Sequence, residues 1–323
     1  MKPIEKRKHH YVPQFLLRNF SIEGRDTLFA FDKLLGSRFP VAVSDAAAEK
    51  EYNTFLSSGR VECAEDTFTT IENGAAQVVR SLVRQRHLKE VSEAERIALA
   101  RLAAAQMLRS RSYRAAYDQI GQIVRRLAEE EGTPEFKRWV GEANPEEDKR
   151  ALLENIGESI DNFVPYLVKK DLVLFTAPEH YPLYIGDSPI ARTNTLNRSE
   201  LRGTSGLASP GVEIYLPLSP TLVLGFMCPT IKALTRELIH RFGQEADGFS
   251  IAYQQALHFG RPVSLEKPNI DHINSLEIML AERFVYSQTD DFGLVELMIK
   301  DDPAVKEGAK VEVSSPFDRY VGR

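Results

Sequence analysis

The sequence predicts an α+β protein: a helical layer from the first half of the chain packed on a mostly antiparallel sheet from the second half. Two stretches carry that expectation. Residues 61–131 place apolar side chains at helical spacing, whereas residues 171–227 break into short aromatic or β-branched runs punctuated by Pro and Gly. Composition agrees, since 323 residues with 43% hydrophobic and 27% charged side chains describe a globular chain able to bury a core.

The elements follow in order. In KHHYVPQFLLRNFS, Lys8 to Ser21, Pro13 disfavours helix at Val12 and suits the first helical position. His9 to Val12 should therefore be extended and Pro13 to Phe20 helical, anchored by burial of Phe15, Leu16 and Phe20. TLFAFDK and RFPVAVSD flank the turn-forming LLGS and read as a hairpin. Val61 to Gln85 reads as one helix through Phe68, Ile71, Ala75, Val78, Val79 and Leu82. Ser92 with Glu95 forms a capping box for a long Ala-rich helix that runs to a stop at Gly132. Asn144 and Pro145 open another through ALLENIGESIDNFV. DLVLFTAP, YPLYIGDSPIA, VEIYLPLSP and TLVLGFM suggest strands of one sheet, and helical patterns return at TIKALTRELIHRF and DHINSLEIMLAERFVYS. We read residues 1–290 as a single domain and 291–323 as a partly ordered C-terminal extension.

Charge and motifs narrow the function. Lys+Arg 41 against Asp+Glu 46, net charge −5, gives no global positive field for coating nucleic acid. Cys63 and Cys228 are far apart, with neither metal-ligand spacing nor a disulfide framework. The basic start leads to no apolar signal core and no run is long enough to span a bilayer, so a cytoplasmic protein without membrane contact is expected. GxGxxG, P-loop, HExxH, GxSxG and paired CxxC patterns are absent, which removes the usual support for nucleotide-cofactor, zincin and α/β-hydrolase readings.

The motif KHHYVPQFLLRNFS resembles the opening signature of a large, mainly bacterial family catalogued only as domain-of-unknown-function family 4238. EYNTF at 51–55, TIENGAA at 70–76, AAQMLRSRSYR at 104–114, IGDSPI at 185–190, IYLPLSP at 214–220 and HINSLEIMLAERFVYS at 272–287 look like its later blocks. Around Asp187 this chain carries Ile-Gly-Asp-Ser-Pro where relatives tend to have Thr-Ser-Asp-Asn-Pro. The resemblance implies membership and block order, and hardly any chemistry.

The residues themselves supply a polar set. His9 and His10 alternate sides along extended chain, so one should turn inward to a carboxylate or backbone carbonyl. They either tie the fold together or face a site. Glu65 and Glu72 share one helical face, and Gln106 and Arg109 another, so an interhelical pair from Glu72 to Arg109 or Arg111 is expected. Asp187 follows an apolar strand, a location suited equally to a turn former and to a catalytic carboxylate. His9, His10, Glu72, Arg109 and Asp187 are thus candidate catalytic residues for phosphodiester hydrolysis by a nuclease-like enzyme, with Gln14, Arg18, Gln106 and Arg111 as substrate-binding candidates. A divalent metal ion is a candidate cofactor, and a nucleic acid or nucleotide the candidate substrate. The hydrolase reading expects one of the histidines, Arg109 and Asp187 to line a single pocket, with Asp187→Ala leaving the fold intact. The competing reading is a non-enzymatic sensor or interaction module, in which the same residues are structural and the basic LRSRSYR patch meets an acidic partner.

Overall fold

The computed structural model describes residues 8–142, 144–197 and 205–308. β1 (Lys8–His10) leads into a single helical turn, α1 (Gln14–Leu17), continued by a 3-10 turn at Arg18–Phe20. Pro13 is the N-cap, with ψ 135, so the helix begins at Gln14, one residue later than expected, and Pro13 is not its first helical residue. So short a helix persists only by packing: Leu16 and Phe20 are fully buried and Phe15 is partly buried against the same core.

β2 (Thr27–Asp32) and β3 (Ser37–Ala42) form the expected hairpin. β4 (Ala48–Lys50) returns antiparallel to β1, pairing His9 with Glu49 and His10 with Ala48. β5 (Thr54–Ser57) and β6 (Arg60–Cys63) then make a ribbon, so the expected helix over 61–85 begins late, as α2 (Glu65–Gln85). The reason is the Ser58-Gly59 turn, where both residues take positive φ and fold 54–63 back on itself.

α3 (Glu93–Arg109) has the expected Ser92–Glu95 capping box. The long helix is not continuous, however. Ser110 turns to ψ 154, its hydroxyl accepts from the N–H of Tyr113, and α4 (Arg111–Glu131) starts afresh before stopping at Gly132. Ser110 has the chemistry of an N-cap, which its Ala-rich surroundings conceal. α5 (Pro134–Val140) follows, and a further break at Asn155 divides α6 (Pro145–Glu154) from α7 (Ile156–Val168).

In the second half come β7 (Asp171–Thr176), β8 (Ile185–Gly186), β9 (Ala191–Thr193), β10 (Glu213–Ser219) and β11 (Leu222–Met227). After them lie α8 (Pro229–Phe242), α9 (Gly248–Phe259), β12 (Val263–Ser264), α10 (Lys267–Leu280), β13 (Phe284–Ser287) and α11 (Gly293–Asp301). α9 escaped the sequence reading, and the pattern at 272–287 is a helix followed by a strand.

The strands divide between two sheets instead of forming one. One runs β12-β7-β11-β10-β9, antiparallel except for the β12–β7 pair. The other runs β3-β2-β13-β8, so β8 leaves its sequence neighbours to join the first-half hairpin through β13. The α+β class holds, with the first half contributing strands as well as helices. β10 and β11 are buried along their whole length, which fits a central position under helices. A smaller cluster built on Phe31, Tyr184, Val285, Phe292 and Val295 joins α11 to the second sheet. The start of the expected extension is therefore packed, while its residues 309–323 lie outside the described ones.

Candidate functional site

The opening motif is buried against the helical layer in a network of polar side chains. His9 is 4% exposed, and its Nδ1 accepts the backbone N–H of Asn53 at 3.0 Å. A neutral imidazole accepting at Nδ1 carries its proton at Nε2, which lies 3.8 Å from Cys63 Sγ. In that tautomer His9 cannot take a proton from the thiol. The inward histidine thus accepts a backbone N–H at Nδ1. His10 is half-buried beside the Gln14 amide, 3.4 Å away. Burial lowers its pKa below the ordinary histidine value, the Arg109 charge acting the same way and Glu65 opposing. Arg18 donates to Gln14 at 2.8 Å and pairs with Asp26, which places Gln14 and Arg18 on a surface relay.

Arg109 lies 1% exposed in the middle of this network. Its Nη2 is 2.6 Å from Glu72 Oε1, and with the Gln106 amide turned to satisfy both its ends, 2.7 Å from the Gln106 oxygen. The Phe68 ring stacks 4.6 Å from the guanidinium. α2 and α3 therefore meet through Glu72 and Arg109, as the shared faces imply. Arg114 donates to the Tyr52 carbonyl and to Asn53 Oδ1, while Asn53 donates to Glu65. The arginines of LRSRSYR thus turn to internal partners and form no open basic patch.

Asp187 stands apart from Arg109. Fully buried, it accepts the backbone N–H groups of Glu282, Arg283 and Phe284, each at 2.8 Å, and so clamps the turn between α10 and β13. Burial raises its pKa above the usual carboxylate value despite those bonds. Neighbouring Glu277, also fully buried, accepts from Gly186 N–H at 2.8 Å, and burial pushes its carboxyl up to about 8. Buried Lys33 donates to the carbonyls of Ile278 and Val305, and burial lowers it to about 8. Among the described residues no three His, Cys, Asp or Glu side chains gather to hold a metal ion. None of His9, His10, Arg109 and Asp187 lines either of the two cavities at the α3–α4 junction.

Two residues past Arg109 the chain does reach one. A cavity of about 380 Å³ lies between the opening motif, the 45–49 turn and the β2–β3–β13 sheet. Arg111 projects there, 3.0 Å from Glu49 and 5.6 Å above the Tyr11 ring. Arg283, chelated by Asp32 at 2.7 and 3.0 Å, lies on another wall with Phe39, Phe284 and Tyr286. The turn is held in a demanding shape: Ala47 has φ 49, its N–H donates to the Tyr286 hydroxyl, and its carbonyl accepts from Tyr11 N–H. A non-glycine residue in the left-handed region, fixed by two tyrosines of the cavity wall, is the kind of strain that collects at binding sites.

Of the cavity residues, the sequence reading named only Arg111. Tyr11, Arg283 and Tyr286 lie inside the blocks quoted above, and Glu49 is the cross-strand partner of His9. Their signal was present, but it needed the β1–β4 and β2–β13 registers to become a site.

Among the described residues no helix is long and apolar enough to cross a membrane. The chain matches no curated protein and no solved structure. A family model described as "protein of unknown function (DUF4238)" matches residues 8–291. That span runs from the β1–α1 opening through the Asp187 clamp to β13, and the chain belongs to this family.

Proposed function

We propose that the protein is a binding module for a nucleotide, held in the Tyr11–Arg111 cavity. The observation that carries this is Arg111 itself, a planar cation lying on a tyrosine ring in a cavity walled by further aromatic rings. Arginine in that setting suits bidentate contact with a phosphate, and aromatic faces suit a base. A cavity of about 380 Å³ falls at the lower end of the range of small-molecule sites and fits one nucleotide better than a strand. In this reading His9, Gln106, Arg109 and Glu72 position the opening motif, and Asp187 positions Arg283 and Phe284.

Phosphodiester hydrolysis is the second reading, favoured by one feature: Glu49 sits beside Arg111, where a carboxylate could activate water next to a bound phosphate. Calorimetry with mono-, di- and cyclic nucleotides, on wild type and Arg111→Gln, tests the binding reading. Binding weakened about tenfold or more by the substitution supports it; no binding by any nucleotide, or binding indifferent to Arg111, overturns it. Product analysis of the same mixtures, with and without magnesium or manganese, separates hydrolase from binding module.

A further inference from the structure

The α3–α4 junction also walls a second cavity, of about 230 Å³, lined by Ser110 and Ser112 from the junction, Ser188 from the IGDSPI segment and Arg192 from β9. Phe163, Ile190 and Leu280 supply an apolar side. Among the described residues no carboxylate lines it. The Arg192 guanidinium has no side-chain hydrogen bond or ion pair with any described residue; the cavity wall around it lowers its pKa, although the residue keeps an exposed face. This contrasts with Arg109, Arg111 and Arg283, which are each paired with a carboxylate. A guanidinium at a cavity mouth with no carboxylate partner among the described residues is free to make charge-assisted hydrogen bonds to an anion.

The serines are arranged to help. Ser188 is fully buried, and its Oγ accepts the Ser112 N–H at 3.1 Å. The Ser110 and Ser112 hydroxyls lie 3.1 Å apart. Ser110 donates to the Met107 carbonyl at 2.8 Å and Ser188 faces Asp187 Oδ1 at 3.5 Å, so the Ser112 hydroxyl is the donor best placed to turn outward, and the first turn of the 21-residue α4 adds its positive end. We propose that this cavity binds a small phosphomonoester, its phosphoryl group on Arg192 and the Ser112 hydroxyl and its apolar body against Phe163, Ile190 and Leu280. The site is separate from the Arg111 cavity and does not depend on the nucleotide reading.

Calorimetry on the full chain with phenyl phosphate, inorganic phosphate and benzyl alcohol tests it. Phenyl phosphate is expected to bind about tenfold or more tightly than inorganic phosphate, with benzyl alcohol silent. Arg192→Gln should weaken phenyl phosphate about tenfold or more, and Arg192→Lys should retain part of the binding. Because Arg192 reaches solvent, neither variant at this position endangers the fold. Equal affinity for inorganic phosphate overturns the ester in favour of a bare oxyanion site. Absence of binding at millimolar concentration, or binding indifferent to Arg192, overturns the site altogether.

Discussion

Removing Glu72 should leave Arg109 as an uncompensated buried charge. The Arg109 side chain is 1% exposed, its Nη2 has Glu72 at 2.6 Å and the Gln106 oxygen at 2.7 Å, and neither Nε nor Nη1 has a hydrogen-bond partner among the described residues. After Glu72→Ala the guanidinium would keep one neutral acceptor and the Phe68 face. Breaking a buried pair from one side costs about 3–5 kcal/mol. Glu72 is itself 24% exposed, which lets water reach the gap and places the expected loss near the lower end, about 3 kcal/mol. That corresponds to roughly 150-fold in the unfolding equilibrium. Urea unfolding of wild type, Glu72→Ala, Arg109→Met and the double variant measures it, and the double variant should recover much of the Glu72→Ala loss because no charge is left stranded. A Glu72→Ala loss under 1 kcal/mol, or strictly additive losses, would refute the reasoning.

Other outcomes follow from the same geometry. Asp187→Ala removes the acceptor of three backbone N–H groups and should destabilise the chain by about 3 kcal/mol or more, read by thermal unfolding. The three backbone bonds make Asp187 a structural tie, so the substitution is expected to weaken the fold. Glu277 ordinarily titrates near 4.5 but is held up to about 8 in the fold, so across that window the folded chain keeps a proton that the unfolded chain has lost. Stability should fall as pH rises from about 4.5 to 8, and Glu277→Gln, which still accepts from Gly186, should flatten that slope in urea titrations at stepped pH. Ala47→Gly relieves a positive φ and should leave stability unchanged or raise it by up to about 1 kcal/mol. Ser110→Ala removes the cap that restarts the helix and should cost about 1 kcal/mol.

Local signals in the chain were reliable guides to local structure. The Ser92–Glu95 box, the LLGS hairpin and the apolar anchors of the opening turn are each written in a few neighbouring residues, and each stands in the fold. Breaks were harder to see. Ser110 and Asn155 interrupt helices whose apolar periodicity carries across them, and only the backbone turn reveals the cap. Sheet membership was harder still, because β8 pairs with β13 about a hundred residues later, a choice that no local pattern encodes. The candidate site divided for the same reason. Glu72 and Arg109 meet because helix spacing fixes their faces, whereas Arg109 and Arg111, two residues apart, point to different neighbours across the Ser110 break.

Hydrogen–deuterium exchange with and without the tightest-binding nucleotide from the panel tests the central claim most directly, because it locates the ligand as well as detecting it. The account expects added protection in residues 45–49 and 283–286 and at the start of α4, with residues 188–193 of the second cavity unchanged. Protection confined to 188–193, or spread nowhere near Tyr11 and Arg111, would contradict a nucleotide site built on those two residues.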